Sequence, residues 1–240
     1  ETAIDDLADL VKDNIDTDKM LDIACSASPR QDVEPLNWPE AENDNAGVRI
    51  GVVRDAALWF YYPENIQALQ QAGAQIKEVS LLHKDEWPQI DALYLGGGFP
   101  ETQAEALSEN LQVRRQVFNL ACNGLPIYAE CGGLIYLCSE YVCHGITYHM
   151  AGVFPVSVYL NAKPKGHGYT RVKIAGPNPF HPLGLEFTGH EFHYSNCSQA
   201  DEHKLDFCMQ MQRGTGLYNG KDGLLFKNTL ATYTHIHALG

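Results

Sequence analysis

The chain has 240 residues, enough for one large domain or one domain with an appendage. Its 30 acidic against 17 basic residues leave a net charge of −13, and no block of Lys or Arg occurs, so nucleic acid and anionic membranes are poor partners. Apolar residues make up 45% and aromatics 10%, which supports a substantial core, while no run reaches the roughly 18 apolar residues of a membrane span.

The opening ETAIDDLADL is acidic, so neither a secretory signal nor a transit peptide is present. A chain that starts on Glu1 and stops at Gly240 reads as a piece of something longer. Residues 1–24 place Ile4, Leu7, Leu10, Val11, Ile15, Met20, Leu21 and Ile23 at roughly helical intervals among many Asp, predicting one or two amphipathic helices. The following SASPRQDVEPLNWPEAENDNAG, rich in Pro and poor in aliphatics, has linker composition. The expected organisation is a helical segment over 1–27 that closes a preceding domain, a linker over 28–47, and one domain over 48–240. Seven cysteines, an odd number without a CxxC pair, exclude a disulfide framework or zinc knuckle and fit the reducing cytoplasm.

From Val48 strands and helices alternate. Val48–Val53 is an apolar strand. Pro63-Glu64-Asn65 opens a helix that Gly73 closes. Ala74–Ser80 and Ile90–Leu95 are further strands, the latter running into Gly96-Gly97-Gly98. Glu101–Asn110 and Leu111–Cys122 read as two helices, stopped by Asn123-Gly124. Pro126–Cys131 is the fourth strand. Apolar strands alternating with helices imply an α/β fold with a parallel sheet covered on both faces, whose active site lies beyond the carboxyl ends of its strands. After Gly145 the pattern turns β-rich, with strands expected at 152–160, 168–174, 185–193, 205–213, 216–218, 223–226 and 229–237, separated in part by Asn-Gly and Asp-Gly turns. These predict a mixed or antiparallel extension of the sheet.

The stretch Leu125–Leu137, LPIYAECGGLIYL, predicts a strand, a sharp turn at Cys131 and a helix. That is the geometry of a nucleophile elbow. Free N–H groups at the helix start would favour a thiolate and could receive an oxyanion. The plainer alternative makes Cys131 a small buried hydrophobe. A cysteine nucleophile needs a base. His235, at the end of the final strand, is the first candidate, with His237 on the same face and His190 and His193 of GHEFHYS as rivals. The N–H groups of Gly97, Gly98 and Gly132 could bind the oxyanion of an attacked amide. The competing reading is a metal site built from His190, Glu191, His193, His235 and His237. Glu130 adjoins Cys131, but strand neighbours face opposite ways, so its carboxylate is expected to hydrogen-bond structure or a channel rather than act on Cys131. Asp55 and the aromatics Trp59–Tyr62 read equally as a domain interface or a core edge.

The segments LGGGFPE (95–101), PIYAECGGLIYL (126–137) and GHEFHYS (189–195), with DAALWFYYPENIQAL (55–69) ahead of them, resemble the glutamine amidotransferase domain of the cobyrinic acid a,c-diamide synthases. The resemblance runs from about Val48 to the C-terminus. It implies a three-layer, flavodoxin-like class I amidotransferase fold. It also implies that Cys131 attacks the side-chain amide of glutamine through a thioester, and that His235, matching the histidine of a TYxH motif, is the base. The ammonia would pass to a synthetase domain, absent from this segment, that uses ATP and Mg²⁺ to amidate the a and c carboxylates of cobyrinate. A related nickel-sirohydrochlorin synthase carries a similar domain. No cofactor or metal is implied for the segment itself. In the wider class a Glu stands two residues after the histidine; here that position is His237, which leaves the third member of a triad open.

Overall fold

The computed structural model describes residues 2–28, 47–198 and 205–239, so the predicted linker, apart from its two end residues, lies outside them. The chain forms two units, residues 1–39 and 40–240.

The first unit contains α1 (Thr2–Asn14) and α2 (Thr17–Ser26). Asp16 caps α2, its carboxylate accepting from Lys19 N at 2.9 Å. The apolar positions found by periodicity, Ile4 to Ile23, are all exposed.

In the second unit the strands and helices follow as β1 (Arg49–Val53), β2 (Leu58–Phe60), α3 (Pro63–Gln71), β3 (Gln75–Val79), β4 (Ala92–Leu95) and β5 (Gly97–Gly98). A 3₁₀ turn at Pro100–Gln103 precedes α4 (Ala104–Glu109), α5 (Leu111–Cys122), β6 (Ile127–Glu130) and α6 (Gly132–Leu137). Five strands run parallel in the spatial order β3-β1-β4-β6, then the last strand of the chain. Counted along the chain this is 2-1-3-4-5, the flavodoxin-like order. Alternation along each strand sorts two cores onto the two faces. Val52, Tyr94 and Ile66 of α3 pack on one side. Val53, Leu93, Leu95, Ile127 and Ala129 pack on the other, with Leu107, Val113, Val117 and Leu134 of α4–α6. The result is three layers, as the resemblance implied.

The β-rich half comprises β7 (Cys138–Cys143), β8 (Ile146–His149), β9 (Phe154–Leu160), β10 (Gly166–Ile174), β11 (Glu186–His193), β12 (Ser195–Cys197), β13 (Asp206–Arg213), β14 (Lys221–Phe226) and β15 (Thr229–Thr232). Strands β14, β13, β10 and β11 extend the main sheet antiparallel to nine strands, while β12-β9-β7-β8 form a separate sheet. Two expectations are corrected here. Asp222-Gly223 is not a turn but lies inside β14, where Gly223 takes φ 67°; the hairpin bend is at Asn219-Gly220, both at positive φ. The final strand stops at Thr232 rather than reaching His237, because the chain then bends across the sheet and pairs His235 with His190 as a single antiparallel bridge.

Candidate active site

Cys131 stands between β6 and α6 with φ 47° and ψ −96°, a backbone state that non-glycine residues rarely occupy and that surrounding contacts must hold. Three bonds do so. Its N–H donates to Thr232 O at 2.8 Å, its carbonyl accepts from Ile135 N at 3.0 Å, and Gly133 N donates to Gly96 O at 3.0 Å. The side chain is 7% exposed, and the sulfur lies 3.9 Å from Phe192 O. Helix α6 is only six residues long, so what it offers the site is local N–H groups more than a macrodipole.

Glycine is required around this turn because backbones approach closely there. A Cβ on Gly133 would fall 2.5 Å from Leu95 O, and one on Gly132 would fall 2.7 Å from Leu58 Cδ2 and 3.1 Å from Gly98 N. Gly132 and Gly98 are thereby neighbours in space, as an oxyanion cradle needs. Tyr61 latches the glycine loop: its hydroxyl accepts from Gly96 N at 2.8 Å and donates to Val53 O at 2.5 Å. Asp55 is spent on structure, accepting from Ala57 N, Leu58 N, Ser80 Oγ and Leu81 N. Trp59 and Phe99 stay exposed, their rings 6.0 Å apart.

His235 is 4% exposed. Its N–H donates to His190 O at 2.8 Å, and His190 N donates back to His235 O at 3.1 Å. Its ring stacks on His190 at 4.9 Å and meets the edge of Phe60 at 5.2 Å. Burial alone would pull the imidazole's pKa down, but the Cys131 sulfur and the Glu130 carboxylate outweigh it and push it up to about 10. Glu130 is not idle: Oε2 lies 3.3 Å from His235 Nδ1 and accepts from Tyr94 OH at 3.1 Å, while Oε1 accepts from Ile236 N at 3.3 Å. Sequence parity missed the imidazole partner, because the bend after Thr232 that brings His235 to it has no local signature.

The other histidines separate. His190 bonds Tyr62 OH through Nδ1 at 3.1 Å, and burial together with the neighbouring His235 lowers its pKa. His193 is buried elsewhere, stacked on Tyr233 at 3.7 Å, with Nδ1 at 2.8 Å from Ser195 O and Nε2 at 3.6 Å from Glu191 Oε2. Burial works against ionisation of Glu191, but His193 and the N–H groups of Thr215 and Gly216 prevail and lower its pKa. His237 lines the same cleft as His235 and His190, against the ring of Tyr62 at 4.7 Å, but its imidazole is engaged with Glu64 at 3.5 Å. Among the described residues no three His, Cys, Asp or Glu side chains converge as a metal-ligating group, so the histidine-cluster alternative lacks a site there. Phe60, Tyr62, Tyr169, His190, Phe192 and His235 line a cleft of about 610 Å³.

A second unforeseen carboxylate holds the chain that leads to His235. Asp222, fully buried, accepts from Thr232 Oγ1 at 2.7 Å, Gly223 N at 2.8 Å, Tyr233 N at 3.1 Å, Thr234 N at 3.2 Å and Thr234 Oγ1 at 3.2 Å. It gathers the three residues that lead into His235.

A five-stranded parallel sheet in this order, with an elbow cysteine and a histidine just beyond the last strand, is the glutamine amidotransferase architecture. Solved structures agree on the fold. The structure titled PurLQS from Thermotoga maritima superposes with TM-score 0.61 at 16% identity, covering 78% of this chain and 87% of that one. Another titled glutamine amidotransferase gives 0.56 at 22% identity, covering 78% and 89%. The profile of the CobB/CobQ-like glutamine amidotransferase domain matches residues 49–240, and the chain belongs to that family. The cobyrinate a,c-diamide synthase of Magnetococcus marinus is 36% identical over 242 residues, 99% of this chain and 51% of that protein. The one from Methanosarcina acetivorans is 39% identical over 249 residues, 97% and 49%. The chain thus spans about half the length of the curated relatives it matches.

Proposed function

We propose that this chain is the glutaminase part of a tetrapyrrole a,c-diamide synthase. The Cys131 sulfur attacks the side-chain amide carbon of glutamine, forming the S–C bond, and the N–H groups of Gly132, Gly97 and Gly98 receive the oxyanion. His235, as imidazolium, gives its proton to the departing nitrogen, and the C–N bond breaks to leave a glutamyl thioester and ammonia. Neutral His235 then takes a proton from water, which attacks the thioester and releases glutamate and the thiol. The observation that carries this reading is a cysteine held at positive φ beside a buried histidine whose protonated form the site favours.

The relatives' name supports cobyrinate as the ammonia acceptor, amidated on its a and c carboxylates by an ATP- and Mg²⁺-dependent synthetase domain. Residues 1–27 would close that domain and 28–47 would link it to the glutaminase domain, 48–240. Nickel-sirohydrochlorin is the alternative acceptor. We place the reaction in the cytoplasm, for which all seven cysteines being free thiols is the support; among the described residues no helix is long and apolar enough to cross a membrane. The test is a diazo-ketone analogue of glutamine. One covalent addition at Cys131, abolished in Cys131→Ser, is expected. Absence of labelling in the unaltered protein, with the synthetase domain present, overturns the reading. Labelling only when that domain is supplied would mark this segment as a docking module that its partner activates.

A further inference from the structure

We propose that Glu130, the residue immediately before the nucleophile, is the carboxylate that positions and charges His235, taking the part that His237 cannot play. This rests on the glutaminase reading above. The geometry follows from three local facts. First, β15 runs parallel beside β6 with Thr232 opposite Glu130, so the chain leaving β15 passes over the end of β6. Second, Glu130 is the last residue of β6 and Cys131 follows it at φ 47°, so the strand's regular alternation ends between them. Third, an imidazole has its two nitrogens on opposite shoulders of the ring. Lowered over the end of β6, the ring of His235 gives Nδ1 to Glu130 Oε2 at 3.3 Å and leaves Nε2 for the sulfur.

The carboxylate is itself held. Tyr94 OH and the Ile236 N–H each donate to it, on different oxygens, and both it and His235 are almost fully buried. An Nδ1–H aimed at a fixed carboxylate sets the tautomer, so that Nε2 is the nitrogen that exchanges protons with Cys131 and with the leaving ammonia. The same negative charge stabilises the imidazolium that must survive until the C–N bond breaks.

The position that carries the Glu in the wider class does not compete. His237 is half-exposed and engaged with Glu64 and the ring of Tyr62. The other titratable groups near His235 are His190 from β11, whose ring is stacked on it, and Cys131. Tyr62 reaches it only through His190, and Tyr94 only through Glu130. Glu130 is therefore the anion that the protein holds beside this imidazole throughout; the Cys131 sulfur becomes part of an uncharged thioester during the reaction.

The test is the pH dependence of glutamine hydrolysis by the full chain, with its synthetase domain, for the parent, Glu130→Gln and Glu130→Asp. The alkaline limb of kcat/KM reports loss of the imidazolium proton. Removing a negative charge beside Nδ1 makes that proton leave at lower pH, so the limb in Glu130→Gln moves down by about one pH unit or more. In the same variant kcat falls on the order of 10²-fold with little change in KM. Glu130→Asp retains the charge one methylene further away and recovers part of both. A residue that only tied Tyr94 to Ile236 would alter stability and leave the limb where it was. A folded Glu130→Gln protein, judged by circular dichroism, whose limb coincides with the parent's overturns the assignment. Should that variant fail to fold, Glu130→Asp decides: its limb lies below the parent's, and coincidence refutes. If the parent neither hydrolyses glutamine nor is alkylated at Cys131, the glutaminase reading fails and takes this inference with it; if it does both, a failure concerns Glu130 alone.

Discussion

Gly97→Ala is the sharpest probe of how the base is held. A Cβ at this position would lie 2.6 Å from His235 Cε1 and 3.3 Å from both His235 Nε2 and Phe60 Cδ1. Carbon atoms in contact prefer about 3.5–4.0 Å, so the imidazole must withdraw by roughly 1 Å. It has little freedom to do so, being bonded to Glu130, bridged to His190 through both backbone groups and stacked against the His190 ring. Overpacking of this kind costs about 1–3 kcal/mol of stability. A displacement near 1 Å at a reacting group costs about 10²-fold in rate. The assay is glutamate release at saturating and limiting glutamine, beside a thermal melt. Gly145→Ala is the control: φ is 79° there, but nothing lies within 4 Å of the new Cβ. It loses a comparable amount of stability through backbone strain with turnover intact. A Gly97→Ala protein that folds and keeps kcat/KM within about threefold of the parent, well short of that rate cost, would refute the argument that His235 is fixed against the glycine loop.

Three further substitutions separate the proposed base from its scaffolding. His235→Ala lowers glutamine turnover by at least about 10²-fold. His193→Ala instead removes the ring stacked on Tyr233 and the partner of Glu191, costing about 2–4 kcal/mol of stability while turnover of the folded protein stays within about tenfold; near-equal rates for the two variants would refute the assignment of His235. Asp222→Ala strips three N–H groups and two threonine hydroxyls of their acceptor, a loss of at least about 3 kcal/mol, visible as a fall in Tm of roughly 6–12 °C. An unchanged melt would show that the segment before His235 is held by other means.

Local pattern exposed the scaffold and one half of the site. Apolar runs punctuated by Gly and Pro placed β1, α3, β3, β4 and β6 within a residue or two, because a strand buried on both faces needs little long-range information to be recognised. Cys131 was equally legible, since a strand, two glycines and an apolar run occur in contiguous order. His235 could be nominated but not distinguished from His190 and His193 by spacing. What selects it is the pairing of β15 with β6, about a hundred residues earlier in the chain. Glu130 and Asp222 were opaque for opposite reasons. Glu130 could be placed at the end of its strand, yet its partner arrives from a bend beyond the last strand. Asp222 was masked by the Asp-Gly dipeptide, a turn signal that here marks a strand interior. The separate β12-β9-β7-β8 sheet was also missed, because alternation identifies strands and says nothing about which sheet they join.

The bond from Cys131 N to Thr232 O sets an order of events during folding. Strand β15, paired locally with β14, must dock on β6 before the elbow is fastened and His235 is brought to it. Contacts this distant along the chain form late, after the loops they close have been paid for in entropy. Until that docking Cys131 and His235, about a hundred residues apart in sequence, are not held together, so the candidate site is completed only as the main sheet closes.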